Sequence, residues 1–184
     1  MKLNGLGTVV VGAGDCGVSN DPSHLLTTYA LGSCIGLAIH DPVAKVSGLL
    51  HFMLADSTID AAKAQANPYM FADTGIPQLF KRAYELGAQK RRLVVSAAGG
   101  AQVMDPNGVF NIGKRNYLAM RKILWRAGVL LQTEVIGGTG SRTLRLEVAT
   151  GKLWMQSPDG EEVELSKAAP SPSPERREPC HSAC

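Results

Sequence analysis

The sequence predicts a single-domain α+β protein, a sandwich of mostly antiparallel sheet with two main helices. The chain has 184 residues, 45% of them hydrophobic, which suits one ordinary core and is too little for two large domains. Its 20 glycines exceed the usual share of roughly 7%, which indicates many tight turns between short strands. Two segments have helical periodicity against about eight strand-like segments, and this balance favours the α+β class.

The first predicted strands lie in the N-terminal third. Thr8–Gly12 is β-branched, and His24–Leu31 and Ile35–His40 have strand-like composition. Asp41-Pro42 ends the third of them, because proline cannot donate to a ladder of backbone hydrogen bonds. Lys45–Leu54 is expected to return beside that strand, so the two together form a hairpin.

Two helices and four further strands complete the prediction. Apolar residues recur at helical spacing in Ala72–Leu86, which is followed by Gly87, and in Gly113–Ala127, which is followed by Gly128. Between these helices a short buried strand is expected. The four strands predicted here are Arg92–Ala97, Val129–Ile136, Arg142–Ala149 and Lys152–Gln156, with a tight turn at Thr150-Gly151 between the last two.

The composition divides the chain into a domain at residues 1–165 and a tail at residues 166–184. The tail is dominated by proline, serine and charge, which predicts disorder. Cys180, His181 and Cys184 in this tail provide at most three ligands, so an accidental cluster is favoured over a zinc site. We therefore expect no metal and no cofactor.

The same figures weigh against several classes of protein. A net charge of +3 and 5% aromatic residues give little support for nucleic-acid binding. No stretch approaches the roughly 18 apolar residues that membrane insertion needs. Four cysteines are too few for a disulfide framework, which favours a reduced, cytoplasmic protein. The sequence has no HExxH motif, P-loop or GxGxxG motif.

A cysteine and a histidine stand out as candidates for chemistry. Cys34 lies among small residues, and His51 is the one histidine inside a strongly apolar strand. Their structural alternatives are a buried, inert thiol and a hydrogen-bonded core imidazole. In the predicted hairpin, opposing residue numbers sum to 85 or 86, so position 34 faces position 51 or 52. The neighbouring side chains are then close enough for a thiol–imidazole pair, although a slip of one residue would put them on opposite faces.

Such a pair makes a nucleophile, and a third group usually orients the imidazole. Four nearby side chains are candidates for that group, and their positions do not choose among them. They are Thr27, Thr28, Asp41 and Asp56. A weaker alternative for the same pair is an unrelated papain-like protease.

At these residues the sequence resembles the CheD family, the chemoreceptor glutamine deamidases of bacterial and archaeal chemotaxis. The similarity extends over roughly residues 5–157, and its motifs occur in a specific order and spacing. They are Leu31-Gly32-Ser33-Cys34, Asp41-Pro42, Gly48 with His51-Phe52-Met53-Leu54, Gly99-Gly100-Ala101, Asn111-Ile112-Gly113-x-Arg115-Asn116, and Gly137-Gly138 before Arg142.

The resemblance implies a catalytic triad of Cys34 as nucleophile, His51 as general acid and base, and Thr28 as the group that orients His51. It implies a protein-glutamine glutaminase whose substrates are methyl-accepting chemotaxis receptors, with possible receptor methylesterase activity by the same path. Backbone groups near Ser33 are expected to hold the oxyanion. The alternative function is that of a regulatory binding partner of a CheC-type CheY-phosphate phosphatase.

The Asn111–Asn116 segment has two interpretations. Either its N–H and amide groups line the substrate cleft, or Asn111 N-caps the helix that is predicted to begin at Gly113 and has no role in the chemistry, and capping is favoured. The glycines at positions 137, 138 and 140 are expected to form a turn, because neither a lysine nor a following helix suggests a phosphate loop.

Overall fold

The computed structural model describes residues 6–102 and 110–165, which form two five-stranded sheets and three α-helices. The predicted tail at residues 166–184 lies outside the described residues. The strands are β1 Gly7–Val10, β2 Asp15–Ser19, β3 His24–Leu31, β4 Ile35–Asp41, β5 Val46–Phe52, β6 Val94–Gly99, β7 Thr133–Ile136, β8 Arg142–Glu147, β9 Leu153–Gln156 and β10 Glu162–Glu164. The helices are α1 Ala61–Ala66, α2 Ala72–Glu85 and α3 Ile112–Arg126.

The two sheets have different positions in the fold. One, here called the outer sheet, has the strand order β1-β3-β8-β9-β10, and the other, the central sheet, has the order β2-β5-β4-β6-β7. Neighbouring strands run antiparallel except in the β1–β3 and β6–β7 pairs. The α+β class with mostly antiparallel sheets and two main helices is therefore confirmed.

Strands β4 and β5 of the central sheet are buried on both faces, which explains their apolar runs. Side chains alternate between two cores, as the period of two in a strand requires. Ile35 and Leu37 contribute to the core that includes helix residues such as Leu79. Ala38 and Leu49 contribute to the core between the two sheets.

Some elements differ from the prediction. Strands β2 and β10 and the short helix α1 were not predicted, and the strand predicted at Val129–Ile136 is shortened to its last four residues. The sequence of β2, DCGVS, has little strand propensity, and this edge strand is held instead by its pairing with β5. Helix α1 is short, and the Asp60 side chain caps it by accepting a hydrogen bond from the Lys63 N–H at 3.0 Å.

None of the helices in the described residues has the length and apolar composition needed to cross a bilayer.

Candidate active site

A buried hydrogen bond between the two sheets joins a threonine to a histidine. Thr28 lies on β3 of the outer sheet and His51 on β5 of the central sheet. Thr28 Oγ1 lies 2.8 Å from His51 Nδ1, and the two residues are 0% and 2% exposed. The hydrogen bond fixes the plane of the imidazole, and it occupies one of the two ring nitrogens.

The β4–β5 hairpin places Cys34 on the His51 side of the central sheet. In the observed register Gly36 lies opposite His51 and Ile35 opposite Phe52, so opposing numbers sum to 87. The predicted sums of 85 and 86 were wrong, and Cys34 does not face residue 51 or 52 directly. It lies two residues before Gly36, just outside the first residue of β4, and so diagonally from His51 rather than opposite it.

The surroundings of Cys34 agree with that placement. Cys34 is partly exposed and packs against the core between the two sheets, to which the His51 face of β5 also points. The position directly opposite His51 is glycine, so no side chain of β4 stands beside the imidazole. A Cβ atom on Gly36 would lie 2.8 Å from side-chain atoms of Leu31 and Leu144, which explains the absence of a side chain there.

The loop that carries Cys34 follows an irregularity in β3. The β3–β8 register shifts between Thr28 and Leu31, and Ala30 between them has a φ of 55°. Bulges of this kind bend a strand and redirect its side chains, and they are frequent next to active sites. The shift separates the strand residue Thr28 from the bend at positions 32–34, where Cys34 is found.

Three successive carbonyls of this loop accept hydrogen bonds from the rest of the protein. Gly32 O accepts from the Ala101 N–H at 2.8 Å, and Cys34 O accepts from the Gly100 N–H at 2.8 Å. Ser33 O accepts from the side-chain amide of Asn116 at 3.0 Å. This loop of residues 32–34, called the Cys34 loop below, is therefore tied at each residue to the continuation of β6 or to α3.

The glycine pair after β6 has a steric explanation. Gly99 has a φ of 122°, and a Cβ atom there would lie 2.2 Å from Cys34 O. Only glycine permits both that backbone conformation and such a close approach. The Gly99-Gly100-Ala101 motif thus lets the end of β6 pack directly against the backbone of the cysteine.

Asn116 belongs to the Asn111–Asn116 segment considered above, but the sequence reasoning gave it no role of its own. It is fully buried on α3, and its Nδ2 atom donates to Ser33 O at 3.0 Å and to Met53 O at 2.8 Å. A signal for it exists in the sequence. Asn116 is the one amide in the buried stripe of α3, whose other members are Gly113, Met120 and Leu124.

Burial favours the neutral forms of both reactive groups. It lowers the pKa of His51 from 6.5 to about 4, and it raises the pKa of the Cys34 thiol above its usual value. His51 Nε2 is buried and has no hydrogen-bond partner among the described residues, so no hydrogen bond from the thiol reaches it. The site at rest holds a thiol and a neutral imidazole rather than an ion pair.

The other candidates for the third group lie elsewhere. Thr27 is buried beside Thr28, but adjacent strand residues point to opposite faces, and its Oγ1 has no partner among the described residues. Asp41 is buried at the far end of β4 and forms an ion pair with Arg92 at 2.8 Å. Asp56 caps the short helix at Ser57–Ile59. Of the four, Thr28 is the one that contacts His51.

The capping prediction for Asn111 was wrong in its chemistry. Asn111 does precede the first residue of α3, Ile112, but its side chain makes no capping hydrogen bond. Its backbone is left-handed, with φ 47° and ψ 38°, whereas a side-chain cap usually requires an extended backbone.

Two other features bear on what the site can bind. A cavity of about 270 Å³ lies between α2 and α3, lined by residues such as Phe80 and Ile123, and none of Thr28, Cys34 and His51 lines it. Within residues 6–102 and 110–165 no group of three or more His, Cys, Asp or Glu side chains is placed to hold a metal ion.

Comparison with known proteins gives consistent matches. The family model described as CheD chemotactic sensory transduction matches residues 53–157. A protein of Solibacter usitatus (strain Ellin6076), named "Probable chemoreceptor glutamine deamidase CheD", is 58% identical over 88% of this chain and 95% of its own length. One of Syntrophus aciditrophicus (strain SB), named "Probable chemoreceptor glutamine deamidase CheD 1", is 50% identical over 87% of this chain and 100% of its own length.

Proposed function

The chain belongs to the CheD family, and we propose that it is a chemoreceptor glutamine deamidase. It converts glutamine side chains of methyl-accepting chemotaxis receptors to glutamate and releases ammonia. The names of its relatives support the reaction and the substrate class. The observation that carries the proposal is the buried hydrogen bond between Thr28 and His51, since it leaves Nε2 as the one ring nitrogen available on the face that Cys34 shares.

In the first step Cys34 is the nucleophile and His51 the general base. As the thiol proton passes to His51 Nε2, the sulfur attacks the carboxamide carbon of the glutamine and forms a tetrahedral intermediate. This requires the tautomer in which Nδ1 carries the proton and donates to Thr28 Oγ1. Thr28 thereby orients His51 and stabilises the imidazolium that forms.

The second step releases ammonia, and the third regenerates the enzyme. His51 Nε2 returns its proton to the leaving nitrogen, the C–N bond breaks, and a thioester to Cys34 remains. Water then attacks the thioester while His51 accepts a proton from it. The C–S bond breaks, the sulfur regains a proton from His51, and glutamate leaves.

The oxyanion of both tetrahedral intermediates is held by backbone N–H groups near Ser33 and Cys34. The anchored carbonyls of the loop support this assignment, because a rigid loop keeps its donors in place without reorganisation. One such donor contributes on the order of 3 kcal/mol to the transition state. Besides these backbone groups, Asn111 just before α3 is a candidate for contact with the substrate.

The neutral resting state sets the timing of the proton transfer. With the pKa of His51 at about 4 and that of Cys34 raised, a free thiolate is scarce near neutral pH. The thiol is therefore deprotonated as it attacks, with the substrate already in place. A thiol that stays protonated at rest reacts slowly with oxidants and alkylating agents between turnovers.

A Cys34→Ala variant tests the proposal with a receptor cytoplasmic fragment as substrate. Wild-type protein should release ammonia and increase the mass of the fragment by the small amount that conversion of an amide to an acid produces. The variant should do neither. Deamidation by the variant contradicts the catalytic assignment, and cleaved peptide bonds would indicate the papain-like alternative.

Two finer functions belong to the same proposal. Hydrolysis of methylated glutamates follows the same steps with methanol as the leaving group, and methanol release from a methylated receptor fragment measures it. A regulatory role as partner of a CheC-type phosphatase is separable from catalysis, since Cys34→Ala should abolish deamidation and leave such binding intact.

A further inference from the structure

We infer that Asn116 is a positioning residue that aligns Cys34 with His51, an inference that rests on the proposed function. A single side-chain amide of α3 bridges the two backbone segments that carry the reacting groups. Ser33, whose carbonyl it binds, immediately precedes Cys34, and Met53, whose carbonyl it also binds, follows His51 by two residues.

The bridge lies where the sheet no longer holds these segments together. Backbone pairing of β4 with β5 extends from Asp41 opposite Val46 to Ile35 opposite Phe52, and both strands end there. The next residues outward are those of the Cys34 loop and Met53. Asn116 thus joins the two chain segments two residues before Ile35 and one residue after Phe52.

The chemistry of the bridge suits an amide in particular. The two groups to be joined, Ser33 O and Met53 O, are both acceptors, so neither can bind the other. The Nδ2 group of Asn116 has two hydrogens and donates one to each carbonyl, at 3.0 and 2.8 Å. A side chain without a donor would leave two carbonyls facing each other with nothing between them.

Packing alone does not account for this residue. Its neighbours in the buried stripe of α3 include Met120 and Leu124, which fill the core without polar atoms. Asn116 Oδ1 is buried and has no partner among the described residues, which is a cost to stability. An amide at this position is therefore explained by what its Nδ2 group holds.

Three variants and one control test the kinetic consequence on the full-length chain. Asn116→Asp keeps the shape and removes both donors, Asn116→Ala removes the side chain, and Asn116→Ser keeps one shorter donor in case the first two fold poorly. Gln132→Ala is the matched control, because Gln132 also bridges two backbone groups, accepting from Val95 N–H and donating to Leu93 O at 3.1 Å, away from the site.

With a receptor fragment as substrate, we expect kcat to fall roughly 30-fold or more in Asn116→Ala and Asn116→Asp, with KM within about twofold of wild type. Asn116→Ser should lie between. Gln132→Ala should retain kcat at a similar loss of melting temperature. A folded Asn116→Ala protein with wild-type kcat, or an equal loss of kcat in Gln132→Ala, overturns the inference.

A second measurement needs no receptor substrate. Peptide mass spectrometry gives the rate at which iodoacetamide alkylates Cys34. The effect of His51→Ala on this rate is then compared between the wild type and the Asn116→Ala variant. If Asn116 aligns the pair, His51→Ala slows alkylation roughly tenfold in the wild type and less than about threefold in the variant. An equal effect in both backgrounds overturns the inference alone, whereas no effect of His51→Ala in the wild type contradicts the proposed catalytic pair.

Discussion

Replacement of His51 by glutamine should make the protein less sensitive to acid. The imidazole is 2% exposed, and burial lowers its pKa from 6.5 to about 4. Between these two values the unfolded chain binds a proton at this position and the folded chain does not. The free energy of unfolding of the wild type therefore rises with pH across this window and is lost as the pH falls.

The size of the effect follows from the shift. A displacement of about 2.5 pKa units corresponds to roughly 3 kcal/mol at full development, of which about 2.5 kcal/mol appears between about pH 7 and about pH 4.5. Urea denaturation at the two pH values measures it. Wild-type stability should fall by about 2.5 kcal/mol more than that of His51→Gln, whatever the stability of the variant at neutral pH.

Cys34→Ala is the matched control for this experiment. It disrupts the same site but retains the histidine, and its thiol does not titrate in this window because burial raises its pKa. It should keep the wild-type pH dependence. An equal loss of stability in wild type and His51→Gln would refute the inference that the resting imidazole is neutral because it is buried.

Three further outcomes are expected. The rate of Cys34 alkylation should keep rising with pH through about pH 9, and a plateau from acid pH would reveal a preformed thiolate. Thr28→Val should lower kcat about tenfold, because His51 loses one hydrogen bond. Thr27→Val is the control and should leave kcat unchanged, because the Thr27 hydroxyl has no partner among the described residues. Equal effects of the two variants would contradict the role of Thr28 in orienting His51. Arg92→Ala leaves buried Asp41 without its ion pair and should cost about 3 kcal/mol near neutral pH. Burial alone would raise the pKa of Asp41, but hydrogen bonds from Arg92 and backbone N–H groups hold this pKa well below its usual value. The difference in free energy of unfolding between wild type and Arg92→Ala should therefore narrow only in strong acid.

The hairpin illustrates how far the sequence alone could lead. Its two strands were predicted with nearly the observed limits, because apolar composition and the Asp41-Pro42 pair specify them locally. The register was predicted wrongly, because it depends on the conformation of the connecting turn. Lys45 in that turn adopts a φ of 52°, which is uncommon for a residue other than glycine and which composition does not announce.

The site shows the same division between local and distant information. The candidates Cys34 and His51 came from residue type and local context, and resemblance to a family selected Thr28 from four possible partners. The hydrogen bond between Thr28 and His51 joins strands of different sheets, which no pattern along either strand encodes. Asn116 lies 83 residues from the carbonyl of Ser33, and only the packing of α3 brings them together.

The division of the proposed catalytic group between two sheets has a mechanical consequence. A sandwich of this kind can shear, with one leaf sliding over the other while every strand keeps its own ladder intact. A displacement of about 1 Å along that plane is enough to lower turnover on the order of 100-fold. Moderate heating should therefore abolish turnover before circular dichroism detects unfolding. The rate of turnover is thus a sensitive measure of how the two leaves are aligned.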